Sequence, residues 1–257
     1  MISRELFERY AKAIDANADL LQAAVAQLEA KLSGIPSSEV EAALTAAYMA
    51  LVARYGSFAA AIAVDFYTRQ REASGVNSAF APELSGTAPA WALRWDVSDA
   101  YSGRDLAKAV EKLGGKSVQR VMEQADDALL QNARRDPARP KWALVPHSGA
   151  CGWCAMLASN GFVYASEQTA DKSRHPNCRC RPVVDFDGDP LLEGYDHSRY
   201  EREYFNARKA IEDDARKEWA AMSDEERERW KVKGKGAYDH YMRNRITAQM
   251  DKRRTGK

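Results

Sequence analysis

Net charge is almost missing from this chain: 38 lysines and arginines stand against 37 aspartates and glutamates in 257 residues. Nothing therefore pulls the chain as a whole toward nucleic acid or an anionic membrane surface. Also missing is any run approaching 18 uncharged apolar residues, so no membrane span is expected. The opening Met1-Ile2-Ser3-Arg4-Glu5 mixes charges and has no apolar core, which argues against a secretory signal. No internal repeat is visible. Cysteine is scarce, at four residues. These absences point to folding in a reducing cytoplasm, where close cysteine pairs favour a metal. An oxidising setting would instead allow two small disulfide loops.

What is present supplies a core: 45% of the residues are apolar, enough for one large domain or two modest ones. Leu6, Tyr10, Ile14, Leu20, Leu21, Ala24, Leu28 and Leu32 recur at helical spacing, predicting a helix over 4–33 that Gly34 and Pro36 end. Ser38, three residues before Glu41, reads as a capping box opening a second long helix that ends near Ser74-Gly75. Its apolar face carries Leu44, Tyr48, Leu51, Tyr55, Phe58, Ile62 and Phe66, and its alanines allow close approach of another helix. The pattern favours an antiparallel hairpin closing its own core over a stripe that docks on a partner. Residues 75–97 read as an irregular connection that Trp91 and Trp95 pack down. Helices near 99–113 and 117–133 follow, broken by Gly114-Gly115. The short Gly114-Gly115-Lys116-Ser117 lacks the upstream glycine and preceding strand of a phosphate-binding loop. Trp142–Val145, Phe162–Tyr164 and Arg181–Val184 read as short strands. From about 198 the chain is charged and helical, with a capping box at Ser223–Glu226, breaks at Gly234 and Gly236, and a last helix from about 238.

All four cysteines fall in one window, as Cys151-x-x-Cys154 and Cys178-x-Cys180, with His175 three residues before the second pair. Two close thiol pairs separated by a loop suit a tetrahedral zinc ion, each pair giving two sulfurs from one tight turn. Gly149 and Gly152 allow the first turn, and a short helix after Cys154 ends at Asn160-Gly161. Five candidates stand for four positions. The first set is Cys151, Cys154, Cys178 and Cys180; in the alternative His175 replaces Cys180 or Cys178. Arg174, Arg179 and Arg181 are placed to offset the thiolate charge. Four protein ligands close the ion to substrate, so the zinc would be structural.

Other chemistries fit less well. Cys154 with His147 or His175 could form a nucleophile and base, but no orienting group is readable. A deaminase-type zinc needs His-x-Glu followed by Pro-Cys-x-x-Cys, and neither is here. His147 and His197 read as turn or surface residues, and His240 as solvent-facing. Arg243, Arg245, Lys252, Arg253, Arg254 and Lys257 make a basic end able to touch DNA phosphates, diluted by the acidic stretch from Glu201 to Glu228. Trp219, Trp230, Tyr238 and Tyr241 read as packing residues.

The runs Leu144-Val145-Pro146, Cys151-Gly152-Trp153-Cys154-Ala155-Met156-Leu157-Ala158-Ser159, Gly161-Phe162-Val163-Tyr164 and His175-Pro176-Asn177-Cys178-Arg179-Cys180 closely resemble the Mu F-like minor head proteins of tailed bacteriophages, in the version common in phages of actinobacteria. The specific match covers about residues 140–187. The resemblance implies a low-copy structural protein inside the head, associated with portal and procapsid, taking part in head morphogenesis and DNA packaging or delivery. It carries the family's motif positions onto Cys151, Cys154, His175, Cys178 and Cys180. Some relatives carry a fused protease or toxin domain, for which this chain has no room.

The expectation is a mainly α protein with a small α+β subdomain. Residues 1–97 form a helical N-terminal region, 98–198 a Mu F-like core holding the zinc-knotted module at about 140–190, and 199–257 a charged helical tail. The expected role is a portal-associated minor capsid protein in viral capsid assembly, not an enzyme. It would reside inside the virion head and in the host cytoplasm during assembly. Its partners would be portal and major capsid proteins, with weak DNA contact through the basic end and no membrane. The rivals are a cysteine- or zinc-dependent enzyme and a zinc-ribbon-like nucleic-acid-binding module.

Overall fold

The computed structural model describes residues 3–161, 175–186, 192, 195–232 and 236–255; the expected strand at 162–164, Arg174, Gly234 and Lys257 lie outside them. The elements are α1 (Arg4–Ala26), α2 (Leu28–Leu32), α3 (Val40–Ala73), α4 (Ala90–Ala100), α5 (Leu106–Arg135), β1 (Lys141–Val145), α6 (Gly152–Ala158), β2 (Arg181–Asp185), α7 (His197–Ala221), α8 (Asp224–Glu228) and α9 (Ala237–Thr255). The protein is mainly helical, with β1 and β2 paired in a two-stranded sheet. It divides into two compact units: residues 1–142 with 162–194, and residues 143–161 with 195–257.

In the first unit α1, α3 and α5 pack on one another, α4 lies on α3 and α5, and β2 lies on α5. The two N-terminal helices thus do not close a hairpin core alone; α5 is the third wall. The Ser3 hydroxyl caps α1 by accepting the Leu6 N–H at 3.4 Å, and Ile14, Ala18, Leu21 and Val25 are fully buried. Tyr10 stacks on Phe66 of α3, ring centroids 4.3 Å apart. The expected capping box at Ser38 is not formed: α3 begins at Val40 after Glu39, with no side-chain cap. Its core face is also turned from the expected one. Leu44, Tyr48 and Phe66 are buried, but mid-helix the buried residues are Val52, Gly56, Ala59 and Ala63, whereas Phe58 is 51% exposed. Small residues win there because α5 comes close: a Cβ on Gly56 would lie 2.0 Å from the Gln124 amide.

Two further expectations fail. Trp91 and Trp95 sit on α4, not in a packed-down loop, and are 73% and 67% exposed. Gly114-Gly115 does not break a helix: α5 runs 30 residues through both, a glycine cost that packing on α1 and α3 offsets. Buried charge locks the unit. Asp96 is fully buried and receives both Nε and Nη2 of Arg120, at 2.7 and 2.9 Å. Asp136, just past α5, accepts from the Tyr67 hydroxyl at 2.9 Å and from Arg71 Nε at 2.8 Å. Burial, and then that carboxylate, hold the Tyr67 hydroxyl well above its usual pKa, so it remains a donor.

α3 is long and apolar enough to cross a bilayer, although no 18-residue stretch of it is free of charge, and about a third of its most apolar window is buried. Within this unit it is a core helix, one face on α1, α4 and α5.

In the second unit α6, α7 and α9 pack on one another. Trp219, Trp230, Tyr238 and Tyr241 gather around buried Ala215 and Met242, as expected of these aromatics. His240 is half-buried rather than solvent-facing: its Nδ1 lies 3.0 Å from the Trp230 carbonyl and its ring meets the Trp230 face edge-on. The capping box at α8 is complete, Ser223 Oγ accepting from Glu226 N–H and Glu226 accepting from Ser223 N–H.

Candidate metal centre

Cys151 is the N-cap of α6 and Cys154 the third residue inside it. These are the two positions that face each other across a helix start, the relation a capping box uses, so Cys-x-x-Cys spacing turns both thiols to one side. The helix itself is held by other elements. The Gly152 N–H donates to the Asp251 carboxylate of α9, and the Ala158 carbonyl at the other end accepts from the Tyr195 hydroxyl at 2.8 Å. Arg254 Nε donates to the Ala150 carbonyl at 2.9 Å. Gly152 is needed for closeness rather than for a turn: a Cβ there would stand 2.2 Å from the Thr247 carbonyl oxygen. Gly149 has no such constraint, and its N–H donates to His147 Nδ1 at 3.2 Å. Gly161, in the left-handed region at φ 61°, ends the segment as expected.

The other half is a tight turn. The Cys178 N–H donates to the His175 carbonyl at 3.1 Å, with Asn177 between them at φ 62°, a conformation asparagine tolerates. The Asn177 N–H donates in turn to the Gly115 carbonyl at 3.2 Å. A Cβ on Gly115 would be 2.9 Å from the Asn177 side-chain amide and 3.2 Å from Pro176 Cβ. The glycine pair is therefore the seat of this turn on α5. Arg179 and Arg181 reach α1. Arg179 Nη1 pairs with Asp15 at 2.9 Å and Nη2 with Asp19, while Arg181 pairs with Asp15 and donates to the Ala11 carbonyl at 3.1 Å.

Within each unit the candidate thiols pair off: the sulfurs of Cys151 and Cys154 lie within 4.8 Å of each other in the second unit, and so do those of Cys178 and Cys180 in the first. Cys154, Cys178 and Cys180 are buried, Cys151 is half-buried and His175 is exposed; all four cysteines are thiols. Sulfurs around a tetrahedral zinc stand about 3.8 Å apart, given Zn–S bonds of about 2.3 Å, so this spread fits the ion. Each pair offers soft sulfur donors, which suit zinc. His147 and His197, expected as turn or surface residues, are exposed and outside both pairs.

Asp251, Tyr195, Asp15 and Gly115, which hold the two halves, carry no motif that singles them out in the sequence. Only Gly114-Gly115, two glycines inside a helical period, is a readable sign of close approach.

Residues 1–207 match the family model described as VG15 protein. The chain belongs to the VG15 family. It is thereby a phage protein, of the virion or of its assembly in the host cell. The match covers the first unit's described elements, the whole Cys/His cluster and the beginning of α7. No curated protein and no solved structure matches the chain.

Proposed function

We propose that this VG15 protein is a structural minor capsid protein of a tailed-phage head, of the Mu F-like kind, portal-associated and acting in head morphogenesis. The observation that carries the reading is the two thiol pairs at the motif positions of that resemblance, Cys151 with Cys154 and Cys178 with Cys180, each with its sulfurs within 4.8 Å. A closed set of four protein ligands makes the zinc structural: it fixes a fold and leaves no coordination position for substrate. The same closure favours a structural protein over a zinc- or cysteine-dependent enzyme. The first ligand set is the four cysteines, with His175 the replacement for Cys178 or Cys180.

Contact with portal or capsid subunits falls to the N-terminal helical region. Trp91 and Trp95, one turn apart on the open face of α4, are the residue type that dominates protein interfaces. DNA contact through the basic end is the lesser part of the reading. Arg245 pairs with Glu218 at 2.9 Å, Arg254 with Glu203 at 2.8 Å, and Arg243 lies over the Trp153 ring, so much of that charge serves the fold. Lys252 and Arg253 are exposed and suit one or two phosphate contacts, with affinity falling as salt rises. The reading is tested by cross-linking mass spectrometry on procapsids. Cross-links from the N-terminal helical region to the portal are expected; cross-links confined to tail or non-structural proteins would overturn it.

A further inference from the structure

One line of residues on α3 is left without cover by the other described residues. Counting by alternate steps of four and three gives Ala47, Leu51, Arg54, Phe58, Ala61, Asp65, Thr68 and Glu72, the spacing of a helix–helix seam. None of the eight is buried, and Arg54, Phe58, Ala61, Asp65 and Glu72 are exposed. An apolar helix with an exposed phenylalanine at the middle of such a line calls for a second helix.

The order of residues names the occupant. Laid antiparallel on a copy of itself about a two-fold axis between Ala59 and Ala60, the line meets its own complement at its two central steps. Phe58 faces Ala61 of the copy, Arg54 faces Asp65, Leu51 faces Thr68 and Ala47 faces Glu72. Large meets small and positive meets negative, twice each by symmetry, as an isologous contact requires. The phenyl ring also has a seat: beside Ala61 lies a groove of about 430 Å³ floored by Tyr10, Ala13, Ile62 and Phe66. Asp65 is held by Arg69 of its own helix at 2.8 Å, an exposed pair that leaves its second oxygen for another cation. Arg54 leans over the neighbouring Tyr55 ring at 5.8 Å.

We propose that α3 is the interface of a two-fold dimer, with a second copy of this chain as its partner. This goes beyond the portal-associated reading and rests on different residues. The test is sedimentation velocity on the full-length protein across a concentration series. A species of twice the 28.7 kDa chain mass is expected, dissociating on dilution. Phe58→Ser, Arg54→Asp and Asp65→Arg should each weaken association about tenfold or more, since each acts twice across the axis. Mixing the Arg54→Asp chain with the Asp65→Arg chain should restore the dimer, because both cross-axis pairs are then opposite in charge. Rescue on mixing separates lost contact from lost folding, as does unchanged far-ultraviolet dichroism of each variant. A single monomeric species at every concentration overturns the proposal. So does a dimer indifferent to these substitutions, or one that mixing fails to restore.

Discussion

At the residue scale, single atoms decide whether the cysteine turns can form. Gly152 starts the helix that carries Cys154, and its missing side chain is what lets α9 approach. Gly152→Ala should cost about 1–3 kcal/mol, because the clash is with backbone that cannot swing aside. Gly149→Ala, three residues away, meets nothing closer than His147 Nδ1 at 3.8 Å and should leave the melting temperature nearly unchanged. Thermal unfolding of the two variants side by side checks this. The contrast was not readable in sequence, where both glycines look like turn formers. Cys151 and Cys154 were readable, since their spacing has a geometric meaning at a helix start. Arg179 and Arg181 were readable only as charges; that they turn toward Asp15 and Asp19 depends on which helix packs behind them.

At the element scale, the helices were legible from their apolar period and their boundaries less so. α1 and α9 begin within a residue of their expected starts, and α3 ends at its expected turn. The errors share one cause. Ser38, Gly114-Gly115, Trp91 and Trp95 were read by local preference, and at each the structure follows packing against α5 or exposure to solvent instead. The glycine pair makes this testable. Gly114 has only the Gln22 side chain nearby, at 3.6 Å, so Gly114→Ala should stabilise α5 by about 0.5–1 kcal/mol. Gly115→Ala gains the same helix preference but presses on Asn177, and should lower zinc retention against a competing chelator. A second test lies in α8. Ser223→Ala removes the cap and should cost about 1 kcal/mol. The Ser223 N–H bonds to the Glu226 carboxylate and lowers its pKa. The folded value is thus below the unfolded one, and this contribution is present above the usual carboxylate range and is lost as pH falls through the lowered value. Wild-type and Glu226→Gln stabilities should therefore converge on acidification, as urea unfolding at several pH values would record.

At the scale of the whole molecule, the proposed zinc would tie the Cys/His motif to folding. Metal binding to such a site contributes on the order of 10 kcal/mol, more than the net stability of most domains. Cys178→Ser should therefore lose zinc and thermal stability together, and a strong chelator should lower the melting temperature of the wild type toward that of the variant. Melting that ignores the chelator would detach the cluster from stability. The fold class followed from the sequence because helical period is local. The partner faces did not, because exposure of Phe58, Trp91 and Trp95 is a property of the folded chain. The account rests on this protein being a built component of the head, and quantitative mass spectrometry of heads purified from the encoding phage or prophage tests that most directly. The prediction is a few copies per head, in fixed ratio to the portal protein and not to the major capsid protein. Absence from heads and procapsids, with the protein abundant in the same lysate, would contradict it.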